Sequence, residues 1–92
     1  MTEEQKKEFT LRVKDLFDQM DNLTAEDLDS VKSASQQVVG LRDSSKFNLS
    51  LEMLSREDIK DNRRALVSAV TADNYKAGFM MAIKLLALFG AI

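Results

Sequence analysis

Ninety-two residues, 45% hydrophobic and 30% charged, describe one small globular domain over 1–92 rather than a disordered chain. The 13 basic and 15 acidic residues leave a net charge of −2, which argues against a general polyanion binder. Cysteine, histidine, tryptophan and proline are absent, so disulfides, thiolate or imidazole zinc sites, cysteine nucleophiles and histidine bases are excluded.

The charge is unevenly spread. Residues 1–30 hold nine acids and four bases, and residues 31–92 hold six acids and nine bases. That polarity can steer a partner or favour head-to-tail association, although acids also gather in the first turns of helices to suit the macrodipole. The opening residues Met1 to Lys7 lack the apolar core of a secretory signal. The greasiest stretch, Ala77 to Ile92, is 16 residues long and contains Lys84. A spanning helix needs about 20 apolar residues, so a cytoplasmic protein is expected.

In chain order, Thr2 and Gln5 predict a capping box opening a first helix. Its apolar positions Phe9, Val13, Leu16, Phe17 and Met20 recur on one narrow face, and Asp21-Asn22 ends it. Thr24 then caps a second helix with an acidic first turn and a face of Leu28, Val31, Ser35, Val38 and Val39. Gly40 suits the left-handed residue that closes it. Residues 41–50 read as a connecting loop anchored by Phe47, with Leu49, Leu51 and Leu54 able to form a short helical turn. A brief strand is the alternative there, but a lone strand has nothing to pair with.

Ser55 with Asp58 predicts the start of a third helix whose inward face is Ile59, Leu66, Val67 and Val70. Thr71 or Asp73 caps a fourth, running from Tyr75 to Phe89. One continuous helix over 56–89 is the alternative. Asp73 and Asn74 fall where its apolar stripe would pass, which favours a break. In the fourth helix Tyr75, Phe79, Ala82, Ile83, Leu86 and Phe89 form a strong face. The reverse side carries Met80, Met81, Ala77, Ala87 and Leu88 beside Lys76 and Lys84, so the helix is apolar nearly all round. The fold class is therefore all-α, a small four-helix bundle-like domain with a hydrophobic C-terminal helix.

No chemistry-bearing motif stands out. Gly40, Gly78 and Gly90 are too scattered for a phosphate loop, and a mid-helix Gly78 points to close packing. Asp15, Asp18 and Asp21 lack the spacing and central glycine of a calcium loop. Glu57, Asp58 and Asp61 alternate with Arg56, Lys60, Arg63 and Arg64, as local pairing requires. Neither an enzyme nor a cofactor is expected.

Arg63 falls between Ile59, Leu66, Val67 and Val70, so its stem covers core while its head reaches solvent or an acid of the first helix. Alternatively Lys60, Arg63 and Arg64 form a basic spot for an acidic partner or a phosphate backbone. The expected function is a non-catalytic protein–protein interaction module, a homodimeric accessory or regulatory protein. Its candidate partner-binding residues are Met80, Met81, Lys84, Leu88, Arg63 and Arg64. The alternatives are a membrane-peripheral protein anchored through residues 77–92 and, behind it, a nucleic-acid binder.

Overall fold

The computed structural model describes residues 1–39 and 47–90, apart from the side chains of Asp21, Ala34, Ser35, Val38 and Val39. The expected Gly40 stop, most of the 41–50 loop and the outer half of the second helix's apolar face thus lie outside the described residues. What is described is all-α, with no strand. Its helices are α1 (Glu3–Asp18), α2 (Leu28–Val39), α3 (Leu51–Ser55), α4 (Glu57–Thr71) and α5 (Tyr75–Leu88). A 3-10 turn, Gln19–Asn22, extends α1.

Thr2 caps α1 through the reciprocal box: the Gln5 amide donates to the Thr2 hydroxyl, and the Gln5 side chain accepts from the Thr2 amide at 2.8 Å. Val13, Leu16, Phe17 and Met20 are buried and Phe9 half-buried, on the face that the period predicts. The α2 helix begins at Leu28, one turn beyond Thr24, after a turn in which the Asp27 amide donates to the Thr24 carbonyl. The short helical turn expected after Phe47 is α3, whose N-cap Ser50 accepts from the Met53 amide.

Two further boundaries differ from the sequence reading. Ser55 does not cap α4. It belongs to α3 and donates to the Glu52 carbonyl, and the α4 cap position is Arg56, which makes no side-chain capping bond. The α5 cap is Asn74, accepting from Ala77, and neither Thr71 nor Asp73. Asp73 instead adopts a left-handed φ of 59°. Its amide donates to Val70 and that of Asn74 to Ala69, which together close α4 in a Schellman arrangement. The break between α4 and α5 thus needs neither glycine nor proline, because Asp tolerates the left-handed region better than most residues.

The α5 helix is the centre of the domain, packed most extensively on α4 and next on α1. Ala82, Leu85, Leu86 and Phe89 are fully buried. The Phe89 ring lies 5.4 Å from Phe17 and 5.9 Å from Phe47, joining α1, the loop and α5 in one aromatic cluster. The Asn48 amide donates to the Phe89 carbonyl at 2.8 Å, which satisfies a helix-end acceptor and fixes the chain entering α3. Gly78 lets α1 approach: a Cβ there would stand 3.0 Å from the Thr10 methyl. Thr10 is itself fully buried and donates to the Lys6 carbonyl.

Candidate functional site

The residues singled out in the sequence fall on two surfaces. The first is a groove between α1 and α4, a cavity of about 330 Å³ lined by Lys14, Phe17, Asp18, Lys60, Arg63, Arg64, Leu66 and Val67. Its floor is the core edge, where Phe17 and Leu66 are nearly closed off from solvent and Val67 remains 38% exposed. Val67 is therefore not part of the inward face of α4. It turns from the Ile59–Leu66 stripe into the groove, and Val70 is half-buried.

Among the described residues, four cations surround that floor against one lining carboxylate, Asp18. Arg63 reaches across to α1 and donates from Nη2 to the Phe17 carbonyl at 2.9 Å. The expected route toward the first helix is thus observed, with a backbone oxygen as one acceptor. A cation near the last carbonyls of a helix also suits its macrodipole. Lys14 donates to Asp18 at 2.8 Å, and this hydrogen bond, together with the Asp18 charge, raises the Lys14 pKa above its ordinary value. Arg64 pairs with Asp61 at 3.0 Å on the exposed rim. The Lys60 ammonium makes no hydrogen bond or ion pair among the described residues.

Local pairing also governs the acids of α4. Arg56 holds Asp58 through Nε at 3.0 Å, and that bond keeps the Asp58 carboxyl below the usual carboxylate range. Asp15 and Asp18 belong to no cluster of three or more metal-ligating residues among those described.

The second surface is the outer strip of α5. Met80 is 60% exposed, and Lys76, Lys84 and Ala87 share its exposure. Met81 and Leu88 are half-buried and pack against the core, so the strip is narrower than the sequence suggests. Tyr75 and Phe79 are drawn toward α1: Lys7 lies 4.8 Å from the Tyr75 ring centre and Lys6 5.5 Å from that of Phe79. At 14 residues α5 is about 21 Å long, and no described helix is long and apolar enough to cross a membrane.

Among the described residues, the two surfaces share no side chain. Lys14 is the groove residue that the sequence left unnoticed. It flanks the apolar stripe of α1 next to Val13, and only the α1–α4 crossing reveals that it faces Lys60 and Arg64. No protein-family model, curated protein or solved structure matches the chain.

Proposed function

We propose that the chain is a non-catalytic protein–protein interaction module, a small accessory or regulatory protein working in the cytoplasm. The observation that carries this reading is the α1–α4 groove, where cations held by Asp18, Asp61 and the Phe17 carbonyl stand over a partly open apolar floor. Lys14 and Arg63, held between α1 and α4, lose little side-chain freedom when a partner docks, which suits recognition. At about 330 Å³ the groove sits at the low end of ligand pockets, roughly 300–1,000 Å³, with room for a side chain or two of a partner.

The test is partner capture by cross-linking in native cells, with wild type, a Lys60→Glu/Arg64→Glu double variant and Met80→Asp compared by mass spectrometry. A protein captured by wild type and Met80→Asp but lost from the groove variant supports the reading. Recovery of nucleic acid with steep salt dependence, or flotation with liposomes, would replace it with one of the alternatives.

A second reading, self-association through α5, is favoured by the exposure of Met80. An unbranched methionine adapts to an apolar counterpart, with Lys76 and Lys84 at the rim needing acids from the second copy. Sedimentation equilibrium tests it: a dimer that Met80→Asp converts to a helical monomer supports this interface, and a wild type monomeric at high concentration removes it.

A further inference from the structure

We infer that the α1–α4 groove takes an acidic protein segment carrying one apolar side chain between carboxylates. The inference rests on the reading of the chain as an interaction module and names the class of partner. Charge complementarity commits the occupant: among the described residues four cations face the groove against Asp18 inside it and Asp61 on its rim, and the Lys60 ammonium lacks a partner among them. Val67, 38% exposed on the floor, offers an apolar contact between these charges. A carboxylate approaching Lys60 also comes within reach of the Arg64 guanidinium, whose pair with Asp61 is largely exposed and exchanges readily with an incoming acid.

A nucleic-acid backbone meets this surface less well. Duplex DNA brings a negative charge every 1.7 Å or so along its axis. A surface running on past the groove offers it Asp15 and Asp18 on α1 and Asp61 on α4 as well as the cations. A short segment with two carboxylates places its charges on Lys60 and Arg64 along α4 and meets on the α1 side only Asp18, which Lys14 already holds, rather than Asp15 beyond it. An apolar residue between them meets Val67, a contact that a phosphate cannot make.

The experiment is a titration of the ¹⁵N-labelled chain, followed by amide chemical shifts, with a capped Gly-Glu-Leu-Asp-Gly peptide. Parallel arms use the same peptide with Gln and Asn for its acids, the peptide with Ala for Leu, inorganic phosphate, and a short DNA duplex. The expected result is shifts centred on Lys14, Phe17, Lys60, Arg64 and Val67, with affinity falling about tenfold for the amide peptide, the product of two partly exposed charge pairs. Affinity falls severalfold for the Ala peptide, which has lost part of its apolar contact. Lys60→Gln/Arg64→Gln should weaken binding of the acidic peptide by a similar factor, about tenfold, while the amide spectrum elsewhere stays native, and Met80→Asp should leave binding unchanged.

Equal binding of acidic and amide peptides would overturn the inference, as would shifts centred on α5 or tighter binding of phosphate or DNA. If no peptide binds yet the groove variant still loses a captured protein in cells, the segment chemistry is wrong and the interaction module stands. If neither is seen, both fall.

Discussion

The groove and the outer strip of α5 both combine lysines with exposed apolar atoms, yet the structure holds them in different ways. In the groove Lys14 is tied to Asp18 and Arg63 to the Phe17 carbonyl, so two of the four lining cations sit at fixed points between two helices, beside the more open Lys60 and Arg64. On α5, Lys76 and Lys84 have no partners among the described residues and flank a single open methionine. Hydrophobicity alone singles out α5. Tertiary contacts build the groove, because they bring side chains from α1 and α4 into one fixed arrangement.

The largest expected effect separates the floor of the groove from everything around it. Phe17 is 2% exposed and packs on Phe89, so Phe17→Ala should cost about 3–5 kcal/mol in urea denaturation. It should weaken acidic-peptide binding by lowering the folded fraction. Leu11→Ala, at a half-buried site away from the groove and without an aromatic contact, should cost about 1 kcal/mol or less. Equal losses would mean that the groove floor is not the core edge.

Next comes Arg63→Met, which keeps the stem and removes the guanidinium. A hydrogen bond to a charged group is worth about 1.5–3 kcal/mol, and without it the Phe17 carbonyl keeps the Gln19 amide but loses its donor from α4. Thermal melts should show a loss in that range. Its neighbour Arg64 is exposed and locally paired, so the two adjacent arginines should differ sharply. A neutral Arg63→Met would show that the bond to α1 does not position the groove.

The legible and illegible parts of the fold divide along the same line. Thr2, Gln5 and the Phe9 to Met20 stripe are local signals, and α1 follows them. Phe47 stood out as an apolar anchor because it is the one aromatic side chain of residues 41–50, and it is 1% exposed. The position of Val67 was not legible, since period alone cannot say where a neighbouring helix stops covering a face. Met81 and Leu88 were assigned to an open surface for the converse reason: a central helix is covered over more of its circumference than one stripe implies. Lys14 became a candidate only when α1 crossed α4.

Gly78→Ala tests how tightly the inner side of α5 is held, and its sign is set by a competition. Alanine gains about 1 kcal/mol of helix propensity over glycine, whereas overpacking costs about 1–3 kcal/mol. The new methyl would meet the Thr10 methyl at 3.0 Å and a Val70 methyl at 3.7 Å. Thr10 is β-branched, and its hydroxyl is bonded to the Lys6 carbonyl, so it cannot turn aside cheaply. A net loss of about 1 kcal/mol is expected from denaturant midpoints. A gain in stability would show that α1 yields easily and that the α1–α5 contact is looser than the geometry implies.

The smallest effects on stability should be those most informative about binding. Arg64→Gln removes an exposed pair and should change stability by less than about 0.5 kcal/mol. Met80→Asp should stay within a similar range, about 0.5 kcal/mol: it loses some helix propensity, but its carboxylate falls four residues from both Lys76 and Lys84. The pair therefore separates binding from folding on the two surfaces. Arg64→Gln should weaken acidic-peptide binding without changing sedimentation, and Met80→Asp should change sedimentation without touching the peptide. Met81→Asp is not an equivalent probe, because Met81 packs against the core and a buried charge there should lower stability as well. If Arg64→Gln and Met80→Asp move the same readout, the two surfaces act as one. If Arg64→Gln leaves the peptide bound, the cations of the groove serve only to hold α4 on α1.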